Sequence, residues 1–226
     1  MAYEIDTPVR GELKDIFKVP LYTVELDLDV KKIEEFCNEN KKLNEKEALG
    51  RIQSNVGGYQ SLDFDLSPDS LAKEPLQSLI KKFEAHATVL AQNILNKDDE
   101  QLVANMWVTM NGYKDSHKSH IHPGGVFSGV YYVKVPEGSG TIDFENPYRE
   151  LLQYYFFSSK LIAPKAFKGW YEDGIYPNAY TSESLSLQPA ENLLVIFPSF
   201  LRHLVNPNKN KTEERIAIAF NTQHKG

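Results

Sequence analysis

The sequence predicts a mostly β protein with N-terminal α elements, in which a jelly roll (double-stranded β-helix) packs against helices. Apolar residues recur at helical spacing before residue 100, whereas apolar and polar residues alternate after it. The later apolar runs are separated by proline and glycine turns, and no helices lie between them. Because parallel strands need a crossover helix, these runs favour antiparallel sheets.

The N-terminal part, residues 1–100, is expected to form a helix-rich elaboration. Asp29 can cap a helix that begins near Val30. A second helix is predicted after Pro75, which suits a first helical turn. Between them, NVGGYQS at 55–61 contains the glycines of a turn. The apolar face of the second helix comprises Leu76, Leu79, Ile80, Phe83, Ala87, Leu90 and Ile94.

The C-terminal part, residues 101–226, is expected to form the jelly-roll core of a single domain that spans 1–226. In LVANMWVTMN (102–111) the even-numbered residues are apolar, and the odd-numbered ones from Val103 to Asn111 are mostly polar or aromatic. An aromatic-rich insertion at 146–191 has little regular pattern, which is typical of a lid or binding loop or of a cover for the sheet. Further strands are predicted at 126–135, 140–145, 192–198 and 215–221.

Composition excludes several classes of function. The net charge of -6 and a pI near 5.6 argue against nucleic acid as a partner, because neutralising phosphates requires a basic face. No run of residues approaches the length needed to cross a bilayer, and MAYEIDTPVR lacks a signal-peptide core. Cys37 is the only cysteine, which excludes an intrachain disulfide and a cysteine zinc site. A cytoplasmic location is therefore expected, and the oligomeric state stays open.

Three histidines form a candidate metal site. His120 and His122 occur in KDSHKSHIHPGG, and His203 occurs in FPSFLRHLVNP. In an extended segment His120 and His122 point to the same side, so both imidazoles can reach one point. Neutral imidazole binds Fe(II), zinc and copper well. A His-x-His pair alone also fits structural or surface histidines, so its context matters.

That context resembles a known family. The segments HIH, SGVYYV and GSGTIDF, followed by LLVIFPSFLRHLVNP and RIAIAFN, resemble the prolyl-4-hydroxylase-like group of Fe(II)/2-oxoglutarate oxygenases. They are most similar to a subgroup known mainly from bacteria and phages, whose substrates are poorly defined. The resemblance covers roughly residues 100–226. It implies Fe(II) and 2-oxoglutarate as cofactors and an unknown small-molecule or peptide substrate, which is hydroxylated with release of succinate and CO₂.

The same resemblance implies roles for individual residues. His120, His122 and His203 would hold the metal, and no further catalytic residue is implied. Arg215 would bind the distal carboxylate of 2-oxoglutarate bidentately, and Tyr132 would hydrogen-bond the same group. Asn221 would be a further cofactor-binding residue, with Asn111 a weaker candidate. For Tyr132, Asn221 and Asn111, ordinary barrel filling explains the sequence equally well.

One departure from the family leaves three arrangements open. The usual iron site has two histidines and a carboxylate, but the acid position here holds His122. We favour a three-histidine site. Alternatively, His122 is the first ligand and Gly124 occupies the acid position, which leaves a coordination site to water. In the third arrangement, Asp143 or Glu145 is recruited from the next strand.

Two other classes of function also remain. A cupin-like jelly roll could bind a metal or ligand without redox chemistry, although the glutamate that follows His-x-His in cupins is missing, since Val126 and Phe127 occupy that spacing. The buried face of such a barrel would not need Arg215. A non-catalytic virion or assembly component could use the aromatic insertion as an interface.

Overall fold

The computed structural model describes residues 18–46, 50, 52–95, 98–151 and 182–226. The helices in these ranges are α1 (Val30–Lys46), α2 (Pro68–Leu71) and α3 (Leu76–Ile94). The strands are β1 (Tyr22–Glu25), β2 (Asn55–Val56), β3 (Tyr59–Gln60), β4 (Gln101–Asn111), β5 (Ser116–His120), β6 (Phe127–Lys134), β7 (Ile142–Glu145), β8 (Ser184–Leu187), β9 (Leu193–Pro198), β10 (His203–Val205) and β11 (Arg215–His224).

These strands form two antiparallel sheets, which confirms the predicted fold class. The major sheet has the order β1-β9-β6-β11-β4-β3, and the minor sheet has the order β2-β5-β10-β7-β8. A core cluster joins the sheets: Phe144 of β7 and Phe197 of β9 meet edge-on, with ring centroids 4.9 Å apart. Tyr132 belongs to the same cluster.

Both predicted helices lie on the outer face of the major sheet. At the start of α1, the Lys32 backbone N–H donates to Asp29 Oδ1 at 3.3 Å, as expected of a cap. The apolar face of α3 packs on alternate residues of β4 and β11, where the rings of Phe83 and Phe220 stack 4.5 Å apart. This larger cluster contains most of the buried apolar side chains, so it supplies most of the hydrophobic stabilisation.

The N-terminal part also contributes strands, which the prediction of a helix-rich elaboration at residues 1–100 did not include. β1 pairs with β9 at one edge of the major sheet. The predicted turn crosses between the sheets, since β2 pairs with β5 and β3 pairs with β4. At this crossing Gly57 and Gly58 have φ of 70° and 67°, a left-handed conformation that favours glycine.

The alternation predicted for β4 is wrong at its beginning. Asn105 pairs with Asn221, but Val103 pairs with Thr222, so β4 has one extra residue, Ala104. A bulge of this kind reverses the faces of the residues before it. Val103 therefore packs in the cluster beneath the helices and does not share a face with Asn105.

The predicted aromatic insertion lies mostly outside the described residues, which stop at 151 and resume at 182 before β8. None of the helices in the described ranges combines the length and apolar composition that a membrane crossing requires.

We expect Gly129→Ala to destabilise the protein by about 1–3 kcal/mol, the usual cost of overpacking a core. A Cβ at Gly129 would lie 2.2 Å from Cζ of Phe220, which is itself packed against Phe83. Urea unfolding followed by circular dichroism measures the change. Gly50→Ala, whose nearest contact would be an ordinary 3.6 Å, is the matched control. The same cost for Gly129→Ala in a Phe220→Leu background would contradict the packing argument.

Candidate functional site

The structure brings the three predicted histidines together. His120 ends β5, His203 begins β10, and the two are paired across these strands. Their ring centroids are 4.3 Å apart, and His122 lies 5.1 Å from each. One ring nitrogen from each residue lies within 4.8 Å of those of the other two. Strand pairing thus joins positions that are distant in sequence, and small side-chain rotations would close the set on one ion.

Hydrogen bonds fix the tautomer of all three rings. In each ring Nδ1 faces an oxygen that can only accept, so Nδ1 carries the proton and Nε2 keeps its lone pair. Metal-binding histidines are commonly held in this way. The acceptors are Lys118 O for His120 (2.7 Å), Asn221 Oδ1 for His122 (2.6 Å) and Leu201 O for His203 (2.9 Å).

Burial also keeps these imidazoles neutral. Desolvation lowers the pKa of His122 to about 4 and that of His203 to about 3, and it lowers the pKa of His120 too. The neighbouring histidines act in the same direction on His122 and His203, because a second charge nearby would be repelled. The rings are therefore available as neutral donors at physiological pH.

No carboxylate joins the three histidines within the described ranges. The two acids considered from the sequence have other partners. Gly124 has a φ of 91°, and a Cβ added there would have no atom within 4 Å. Asp143 accepts hydrogen bonds from Thr141 and Asn206, and Glu145 accepts from Ser119 and Arg149. The geometry favours the three-histidine arrangement, because His120 lies together with His122 and His203.

Arg215 supplies a buried positive charge to the same cavity. Only 2% of its surface is exposed, and no carboxylate of the described residues lies within ion-pair distance. Its Nη2 donates to Asn111 Oδ1 at 2.7 Å and its Nη1 to Gly140 O at 3.0 Å. Arg215 Nε and Asn111 Nδ2 are the two buried side-chain atoms, in the part of the chain described, that lack a partner. Such a cation is costly to bury without an anion, which makes Arg215 a candidate anion-binding residue.

Tyr132 lies beside this cation on the cavity wall. Burial raises the pKa of its phenol to about 12, and the Arg215 charge opposes this shift. The hydroxyl is therefore protonated and can donate. His117, which the sequence did not single out as a site residue, also lies here; its ring bonds to Ser54 Oγ and Asn111 Oδ1 at 3.2 Å each. Only the fold reveals this position, because His117 lies on a short polar strand.

The cavity that joins these groups has a volume of about 510 Å³. Its described lining includes the three histidines, Arg215 and Tyr132, and contains no aspartate or glutamate. This contrasts with the acidic composition of the whole chain. Besides His117, the remaining polar lining consists of amides, hydroxyls and one lysine: Gln53, Ser54, Gln60, Asn105, Thr109, Lys118, Ser119 and Asn221.

Comparisons with known proteins agree with this geometry. Residues 105–221 match the model of a family described as "Putative 2OG-Fe(II) oxygenase". A comparison with curated proteins gave no match.

Several solved structures share the fold at low sequence identity. A Pseudomonas putida prolyl-4-hydroxylase is 12% identical with a TM-score of 0.58, covering 92% of this chain and 94% of that one. The alpha-ketoglutarate-dependent carbocyclase SnoK from nogalamycin biosynthesis is 13% identical (TM-score 0.54; 90% and 79% covered). A Trichoplax adhaerens prolyl hydroxylase, solved with a peptide fragment of hypoxia inducible factor, is 12% identical (TM-score 0.54; 89% and 82% covered).

We expect the metal-free protein to lose stability as the pH falls from about 6.5 towards about 4. Burial, and secondarily the charge of Arg215, lowers the pKa of His117 from 6.5 to about 3. Below pH 6.5 the unfolded chain therefore binds a proton that the folded chain refuses, which favours unfolding.

The variant His117→Gln should reduce the pH slope by up to about 1.4 kcal/mol per pH unit, the value for one proton. Urea unfolding at a series of pH values measures it. His224→Gln, at an exposed histidine, is the control. An unchanged slope in His117→Gln would show that His117 takes up its proton without unfolding.

Proposed function

The chain belongs to the 2OG-Fe(II) oxygenase family, and from this membership we propose that it hydroxylates a small-molecule or peptide substrate with release of succinate and CO₂. The single observation that carries the proposal is the convergence of three histidines with fixed tautomers in a cavity that also holds a buried arginine. That arginine forms no ion pair with any described residue. The histidines are proposed to bind the iron, and the arginine is proposed to bind the co-substrate.

His120, His122 and His203 are the proposed iron ligands. Imidazole is a suitable ligand for Fe(II), and three neutral donors leave further coordination positions for the keto acid and oxygen. The bound iron and 2-oxoglutarate would supply the oxidising chemistry, and the protein would orient the reactants and exclude water. The apolar cluster around Phe144 and Phe197 supports the second task, because both rings pack against His203.

Arg215 is proposed to bind the distal carboxylate of 2-oxoglutarate. Its free Nε and adjoining Nη can form the planar pair of donors that a carboxylate accepts. The protonated hydroxyl of Tyr132 would add a donor from the neighbouring strand. The arrangement argues against a cupin-like site without redox chemistry, which has no need of a buried guanidinium. Asn221, expected from the sequence to bind the cofactor, lines the same cavity and contacts His122.

The wall of the cavity supports a polar substrate that is neutral or anionic. Amides and hydroxyls dominate its described polar lining, and Lys118 and Arg215 are its cations. In the described lining, a cationic substrate would find no carboxylate to offset its loss of hydration. Acidic and neutral compounds, but not polyamines, should therefore stimulate succinate release. Stimulation by polyamines alone would overturn this assignment of substrate charge.

The Fe(II)-loaded protein is expected to convert 2-oxoglutarate to succinate in air, as measured by chromatography. His203→Ala should abolish this turnover because it removes a proposed ligand. His224→Ala, which changes a histidine outside the cavity, should retain it. The absence of succinate from wild-type protein that demonstrably contains Fe(II) would refute the proposed activity.

Replacing Arg215 by alanine is expected to weaken 2-oxoglutarate binding by at least about 100-fold, since a buried carboxylate that loses its cation costs several kcal/mol. Metal affinity should hardly change. Calorimetry with Mn²⁺ in place of iron measures both. Arg149→Ala removes a half-exposed arginine paired with Glu145 and serves as the control. Unaltered 2-oxoglutarate affinity in Arg215→Ala would show that the co-substrate does not bind at Arg215.

A further inference from the structure

We propose that Asn221 is a positioning residue that makes His122 a metal ligand, by holding its ring in the one tautomer that leaves Nε2 free. The inference rests on the proposed function, because it takes the three histidines as ligands. It also explains how a histidine can serve at the position where the family resemblance implies a carboxylate.

A histidine at this position has a requirement that a carboxylate lacks. Both oxygens of a carboxylate carry lone pairs, so either can bind a metal. A neutral imidazole binds only through its unprotonated nitrogen, and its proton can sit on either one. If the proton moved to Nε2, His122 would present an N–H to the ion and could not bind it. The site therefore needs a fixed acceptor at Nδ1.

His122 obtains this acceptor differently from the other two histidines. His120 and His203 donate to backbone carbonyls two residues away, which no substitution can remove. His122 donates to Asn221 Oδ1, which is 99 positions away in sequence, at 2.6 Å. Its tautomer thus depends on one replaceable side chain.

The amide of Asn221 is itself held in one orientation. Ser128 Oγ donates to Asn221 Oδ1 at 2.8 Å, and Asn221 Nδ2 donates to Asn105 Oδ1 at 2.9 Å. Ser128 Oγ is in turn bonded to Ser199 Oγ at 2.8 Å. If the amide turned over, its oxygen would face Asn105 Oδ1 and its NH₂ would face His122 Nδ1. The Nδ1–H form of His122 would then lose its acceptor.

Strand register builds this arrangement. Asn221 on β11 is directly paired with Asn105 on β4 and with Ser128 on β6. The three side chains therefore form a row across neighbouring strands of the major sheet, on the face that lines the cavity. Such a row is rigid because each residue is fixed by ladder hydrogen bonds, so it can define the direction of the His122 ring.

The decisive comparison is between Asn221→Leu, which removes the acceptor at similar volume, and Asn221→Asp, which keeps it. We expect Co²⁺ affinity, measured by competition with a chromophoric chelator, to fall about 10–100-fold in Asn221→Leu, as for other residues that orient metal-binding histidines. Asn221→Asp should retain or increase the affinity. Thr222→Val, next to Asn221 on β11, is the matched control: it removes a buried hydrogen bond to Gln101 on β4, and its Co²⁺ affinity should equal that of wild type.

A second readout isolates the tautomer. Nitrogen NMR of the metal-free protein should show His122 protonated at Nδ1 in wild type and Asn221→Asp, with the Nε2–H form appearing in Asn221→Leu. If Asn221→Leu does not fold, Ser128→Ala, which frees the amide to turn, should show the same change to a smaller degree. An unchanged tautomer together with unchanged Co²⁺ affinity in Asn221→Leu would overturn the proposal.

These readouts separate the two proposals. If wild type binds no Co²⁺, the proposed metal site fails and His122 has no ligand role, and the NMR comparison then decides only whether Asn221 sets the tautomer of His122. If wild type binds Co²⁺, His203→Ala abolishes binding and Asn221→Leu changes neither readout, the metal site stands and the positioning role fails.

Discussion

The alternation of side chains along β11 is the constraint on which the rest of the structure depends. This strand lies inside the major sheet and pairs with β4 on one side and β6 on the other, so its register is fixed twice. Ile216, Ile218 and Phe220 face the helices, whereas Arg215, Ala217, Ala219 and Asn221 line the cavity. A slip of one residue would exchange the two faces, burying a guanidinium under the helices and filling the site with apolar side chains. The register that stabilises the core therefore also sets the geometry of the site.

Long elements with strong periodicity could be predicted from the sequence. The spacing of apolar residues indicated α3, and the alternation in RIAIAFN indicated which side of β11 carries Arg215. The short strands β5 and β10 could not be recognised, because SHKSH and HLV are too short or too polar to show a period. They are strands because they pair with each other, and that pairing brings His203 opposite His120. Partners distant in sequence supply the energy of such strands, so local patterns do not record it.

The same limit explains which site residues were found and which were not. His120, His122, His203 and Arg215 were identified because motifs flank them, and the fold brought all four to one cavity. The contact between Asn221 and His122 could not be foreseen, since it depends on the loop after β5 folding back towards β11. The β-bulge near the start of β4 could not be foreseen either, because no glycine or proline marks the extra residue that shifts the faces.

The cavity between the two sheets is organised at a cost in stability. Among the described residues, Arg215 is desolvated without an ion pair, several imidazoles are kept neutral by burial, and two donors lack partners. Each of these features opposes folding of the ligand-free chain. The outer face of the major sheet compensates, because α1 and α3 bury a continuous apolar cluster against it. The N-terminal helices thus have a role in the site although they contribute no ligand. They stabilise the sheet whose other face lines the cavity.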